Sequence, residues 1–130
     1  MATPGYLAAA ILLATAPFVG AGANPLTGTW RAERGGHAIE ITLSADGVFA
    51  RHDLAPGATA MTVSGHWSLA GDGHWLRLTI EDWAPRRACG LFGCTDIPML
   101  LRETFRVVRQ DGDQLLLEDA GGRTEFRRAG

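Results

Sequence analysis

The chain of 130 residues contains no lysine; its twelve basic residues are all arginine. Any cationic contact it makes must use guanidinium groups, which favour bidentate anion pairing, yet the arginines form no clear cluster in the sequence. The formal net charge is −2, so neither a nucleic acid nor a charged membrane surface is indicated as a partner. No Gly-x-Ser-x-Gly elbow is present, which removes the usual signature of a serine hydrolase. No glycine-rich phosphate loop precedes a helix, and no stretch has convincing helical periodicity. Cysteine is nearly absent as well. Cys89 and Cys94 are the two in the chain, too few to suggest a thiolate metal site and, in an exported chain, better read as a disulfide.

Export is indicated by "YLAAAILLATAPFVGAGA", an uncharged apolar run ending in the small-x-small tripeptide Ala21-Gly22-Ala23. Residues 1–23 read as a secretory signal peptide, although the segment has no Lys or Arg before its apolar run. A retained anchor is the alternative. Pro17 and three glycines argue against a full span, which needs about 20 apolar residues. The expected location is the periplasm or the exterior, with no stable membrane insertion after cleavage. Residues 24–130 would then form one domain.

That domain is punctuated by glycine-containing turns every 8 to 12 residues, with alternating apolar and polar positions between them, the pattern of an all-β sandwich or barrel. Eight strands are expected, near 27–34, 37–44, 48–54, 61–69, 74–82, 103–109, 114–119 and 123–128. "SADGVF" and "RQDGDQ" share an Asp-Gly core. A three-residue hairpin loop in each would pair Leu43 with Phe49 and Phe105 with Leu117. "LAGDGHW" suits an even-length loop that places Val63, Gly65, Trp67 and Leu69 on one face with His74, Leu76, Leu78 and Ile80. "AGGR" closes the last hairpin and sets Phe126 beside Leu117. With connections this short, the strands form an up-and-down antiparallel meander. Closing it into an eight-stranded barrel removes both edges; a two-sheet sandwich is the fold alternative.

"LTGTWRAE" carries Gly28 and Trp30 in a Gly-x-Trp arrangement that resembles the opening of lipocalin and avidin-like barrels. "SGHWSLAGDGHWLRL" is similar to the hairpins of bacterial lipocalin-like domains. The resemblance implies that Trp30 closes one barrel end and that a basic residue of the last strand, Arg127 or Arg128 with Arg127 preferred, lies over it. The second lipocalin motif, Thr-Asp-Tyr, is absent, and no biotin-binding polar set is recognisable. No cofactor is expected.

Candidate site residues follow from parity. The loop that turns Phe49 inward also turns Arg51 and Asp53 inward, and His74 and His37 share inward parity on their own hairpins. The four histidines, His37, His52, His66 and His74, do not converge as zinc ligands must, so no metal site is expected. Glu81-Asp82 and Glu118-Asp119 are adjacent pairs whose members face opposite ways. "RRACGLFGCTDIP" sits in a connection without regular pattern, from Ala84 to about Leu101, of a length that is usually functional or disordered. A Cys89–Cys94 bridge would staple it. Leu91 and Phe92 at its tip would either pack on the barrel mouth or face a partner, and Trp83 lies just before it. The expected function is therefore non-enzymatic binding, at the mouth and the stapled loop, of a small apolar ligand or a protein partner. Arg51, Asp53, His74, Trp83, Leu91 and Phe92 are the expected contacts. A secreted protease-inhibitor-like barrel and a small barrel isomerase or cyclase are the alternatives.

Overall fold

The computed structural model describes residues 24–54 and 60–129; the segment read as a signal peptide, 1–23, lies outside them. Among the described residues are ten strands: β1 (Gly28–Arg34), β2 (His37–Leu43), β3 (Val48–Leu54), β4 (Met61–Ala70), β5 (Trp75–Ala84), β6 (Arg87–Gly90), β7 (Gly93–Asp96), β8 (Arg102–Asp111), β9 (Gln114–Asp119) and β10 (Gly122–Arg128). Eight of them close an antiparallel barrel in the order β1-β10-β9-β8-β5-β4-β3-β2, while β6 and β7 form a separate hairpin between β5 and β8. The expected barrel is thus present, and the sandwich is not. Trp30 pairs with Arg128 across the β1–β10 seam.

The interior follows from the strand alternation. Trp30, Ala32, Ile41, Leu43, Phe49, Val63, Trp67, Leu76, Leu78, Ile80, Leu115, Leu117 and Phe126 are buried, each on an inward position of its strand. Apart from the exposed exceptions Val48, Leu54 and Trp75, most outward positions are polar. Glu118, for example, sits on the outer face between Arg123 and Arg106, whose hydrogen bonds, Arg123 foremost, hold its carboxyl below the usual glutamate range.

The "SADGVF" turn has the expected register. Leu43 faces Phe49, and Ser44 and Val48 close a three-residue loop in which Gly47 has a φ of 90°. The "RQDGDQ" turn differs. Asp111 pairs with Gln114 around a two-residue loop, and Val108 is an extra residue between Val107 and Arg109. The shorter loop and the bulge offset one another, so Leu115 and Leu117 still point inward, but Leu117 faces Val107 rather than Phe105. In the last hairpin Phe126 faces Leu115, and Thr124 takes the place opposite Leu117.

A second bulge shapes the mouth. Ser64 pairs with Asp82 and Gly65 with Ile80, leaving Glu81 unpaired in the ladder. Gly65 is buried, and a Cβ there would stand 1.9 Å from the backbone oxygen of Thr79, so only glycine admits the approach of β4 to β5 at this point. Past the bulge the inward parity of β5 changes, and Trp83 comes to lie opposite Val63. The β5–β8 ladder ends at Thr79, with the Ile80 amide donating to the Leu101 carbonyl. Beyond it β5 stays paired with β4 alone as far as Ala84, shortly before the β6–β7 hairpin.

The connection expected to be irregular therefore contains that hairpin. Cys89 faces Cys94 across it, the two are disulfide-bonded, and their Cα atoms are 4.0 Å apart. All eight strand residues of β6 and β7 are exposed, so no apolar alternation marks them in the sequence.

Candidate functional site

The two barrel ends are built differently. At one end the segment 24–27 folds across the opening. The Trp30 indole donates to the Leu26 carbonyl at 2.9 Å, and Leu26 and Trp30 are both fully buried. The guanidinium of Arg128 lies 4.2 Å from the Trp30 ring centroid and donates to the carbonyls of Thr27 and Pro25. Arg127, the residue preferred from the sequence, is exposed and pairs with Arg31; Arg128 is the one that shares inward parity with Phe126 and reaches the indole. Gly28 has a φ of 134°, and a Cβ on it would meet Arg128 Nη1 at 2.4 Å. The Gly-x-Trp pair is thereby explained: glycine supplies the backbone angle and the clearance under which the arginine stacks.

Among the described residues the opposite end is open. Above the packed half of the core lies a cavity of ≈ 210 Å³, walled by Ile39, Ile41, Leu76, Leu78, Phe105, Leu117 and Phe126 and rimmed by Arg34, Asp119, Gly122 and Thr124. Arg51 and Asp53 line it, as their parity requires, and Glu103 completes the polar set. Arg51 Nε stands 3.1 Å from Asp53 Oδ1, and Arg51 Nη1 donates to Glu103 Oε1 at 3.2 Å. β3 and β8 are not neighbours in the barrel, so the Arg51–Glu103 contact crosses the lumen. The Nε–Oδ1 approach has the distance of an ion pair but not the alignment of a hydrogen bond. Both atoms are buried without another partner among the described residues. Glu103 was not anticipated, although it shares inward parity with Phe105 and Val107 and was legible on that ground.

The remaining expected contacts are dispersed. His74 lies in the turn at the closed end and is exposed, far along the strand from Arg51. The even-length loop is four residues long, from Gly71 to His74, and takes the histidine out of the strand. His37, also expected to point inward, is exposed at the start of β2, and His52 and His66 are exposed on strands β3 and β4. Among the described residues no group of three or more His, Cys, Asp or Glu could hold a metal ion.

Trp83 is half-buried against the edge of the core, at the mouth rather than in the cavity wall. The Arg86 guanidinium lies 3.7 Å from its ring centroid and also donates to Asp82 Oδ1 at 2.8 Å. That bond, with the Trp83 amide second, holds the Asp82 carboxyl below the usual aspartate range. Trp83 Nε1 has no hydrogen-bond partner among the described residues. Leu91 and Phe92 do not pack on the mouth. They stand at the hairpin tip with relative exposures of 98% and 104%, and Leu100 and Leu101 beyond the hairpin are exposed as well.

Comparison with known proteins agrees with the architecture. No protein-family model matches the chain, and no curated protein matches. Solved structures do. A lipocalin-like protein from Bacteroides uniformis matches 82% of this chain and 100% of its own, with a TM-score of 0.56 at 20% identity. An uncharacterized protein from Bacteroides eggerthii matches 79% of this chain and 98% of its own, with a TM-score of 0.50 at 15% identity. A lipocalin-like protein from Bacteroides thetaiotaomicron is similar over 84% of this chain and 100% of its own, at 18% identity and a TM-score of 0.49. The fold is that of bacterial lipocalin-like proteins.

Proposed function

We propose that the protein is an exported, non-enzymatic binding barrel that takes a small, largely apolar ligand into the open end. The observation that carries this reading is the cavity itself: apolar walls from Ile39, Ile41, Leu76, Leu78 and Phe105, with one convergent polar group, Arg51 between two carboxylates. Small-ligand sites are generally built this way, with apolar area for affinity and a few polar atoms for orientation. At ≈ 210 Å³ the space suits a short chain or a single ring rather than a large hydrophobe.

Native mass spectrometry of the protein recovered from its own compartment tests this. The expected polypeptide mass starts at Asn24 and carries a small adduct. Thr124→Phe puts a ring into the rim of the cavity and should remove the adduct while leaving the far-ultraviolet circular dichroism unchanged. An adduct that survives Thr124→Phe would place binding elsewhere, and a full-length mass in the membrane fraction would contradict export.

A protein partner at the hairpin is a second reading, favoured by the exposure of Leu91 and Phe92 on a stapled turn. The small ring closed by the disulfide removes little chain entropy, so the Cys89→Ser, Cys94→Ser double variant should lose at most about 2–3 kcal/mol of global stability. The loss expected is in the shape of the hairpin. Amide hydrogen exchange should accelerate within β6 and β7 and stay unchanged in the barrel; equal acceleration in β4 and β5 would make the bridge a support of the whole fold.

A further inference from the structure

We infer that the cavity selects ligands by head-group charge, accepting a protonated amine, tolerating a neutral hydroxyl and rejecting a carboxylate. The inference rests on the cavity being the binding site. An arginine inside an apolar barrel would by itself suggest an anionic ligand. Here its charge is already answered from within: Asp53 approaches Nε at 3.1 Å and Glu103 accepts from Nη1 at 3.2 Å. The second cation of the lining, Arg34, is engaged at the rim, donating to the Gly121 carbonyl at 2.7 Å and to the Thr124 hydroxyl at 3.3 Å. Against these two arginines stand three carboxylates, Asp53, Glu103 and Asp119. Residues 1–23 and 55–59 contain no Asp, Glu, Lys, Arg or His, so they add no charged side chain to this balance. The lumen is therefore negative by one charge.

A carboxylate entering it would meet Arg51 flanked by Asp53 and Glu103, two like charges in a partly desolvated space where they repel more strongly than in water. An ammonium group meets the opposite situation. It offers donors to Asp53 and Glu103, whose oxygens outnumber the N–H groups directed at them, and it cancels the excess charge. Asp53 Oδ1 is buried without an aligned donor and Arg51 Nε without an aligned acceptor, so the preference is set by the net charge of the lining rather than by either atom.

Three probes of equal chain length separate the possibilities: hexylamine, hexan-1-ol and hexanoate, titrated into the protein at neutral pH and followed by amide NMR. The expected order of affinity is amine, then alcohol, then hexanoate, with at least about tenfold between the first and the last. The shifts should centre on Ile39, Ile41, Leu78 and Phe105, and Thr124→Phe should abolish them. Asp119→Asn, at an exposed rim position, should narrow the gap between amine and hexanoate without affecting folding, and Glu103→Gln should narrow it further by freeing one face of Arg51. Hexanoate binding as tightly as the amine would overturn the charge selection while leaving the cavity as a binding site. Failure of all three probes to bind, or amine binding that survives Thr124→Phe, would overturn the cavity reading and the selection together.

Discussion

Trp30→Ala is expected to cost about 3–5 kcal/mol, the range for removing a large aromatic from a well-packed interior. Domains of this size are typically stable by only about 5–15 kcal/mol, so the variant should be largely unfolded at modest urea concentration. The reasons are cumulative. Trp30 is 0% exposed, and its indole is the contact that draws the 24–27 segment across the barrel end through the Leu26 carbonyl. It also carries the Arg128 guanidinium, whose donors tie the Thr27 and Pro25 carbonyls to the end of β10. Without the ring the segment, the arginine and the β1–β10 seam lose their common support. Trp30→Phe, which keeps most of the area but not the N–H donor, should recover more than half of the loss. Urea denaturation monitored by circular dichroism decides the matter. A loss below about 1 kcal/mol for Trp30→Ala would mean that the end is held by the β1–β10 hydrogen bonds alone, without the stack.

Those expectations use a part of the molecule that alternation made legible. Period-2 patterning between glycine turns located all eight barrel strands, and the Asp46-Gly47 turn set Leu43 opposite Phe49 as found. The inward placement of Arg51 and Asp53 followed from that one register. Pairing failed where it had to be carried across an extra residue, as in Leu117, which faces Val107 rather than Phe105. The bulges at Val108 and Glu81 each insert one residue, and nothing in an apolar-polar alternation distinguishes a bulge from a change of face. The cause of the second is steric, the passage of the Thr79 carbonyl over Gly65, and becomes visible only when two strands are set side by side. The β6–β7 hairpin was illegible for another reason. Both of its faces are solvent-exposed, so burial imposes no pattern on its side chains, and the disulfide and turn do the work that a core would otherwise do. Glu103 could have been read, since it alternates with Phe105 and Val107. Its partner could not, because the contact with Arg51 spans the lumen between strands that are not paired.

Arg51→Ala is expected to destabilise the barrel by about 2–3 kcal/mol, less than the 3–5 kcal/mol typical of a fully buried pair broken on one side. The side chains of Arg51, Glu103 and Asp53 are 15%, 20% and 34% exposed, and water entering the cavity would solvate part of the uncompensated charge, which sets the lower figure. The loss comes chiefly from Glu103 and Asp53 facing one another across an apolar lumen with no cation between them. The pair's own net contribution is small, because drawing three charged groups out of water costs about as much as their attraction returns. A second variant separates these two statements. Arg51→Met, Asp53→Leu, Glu103→Met removes every charge of the group and fills the space with apolar volume, so it should be at least as stable as the wild type. Yet it should lose most of the preference for an amine over a carboxylate, because only the rim groups Arg34 and Asp119 would then remain charged, and their charges cancel. Equilibrium urea titrations of the two variants beside the wild type provide the check. If Arg51→Ala were neutral, the three groups would not be coupled in solution. If the triple variant were as unstable as the single one, the charged cluster would be a net support of the fold rather than a feature retained for what it binds.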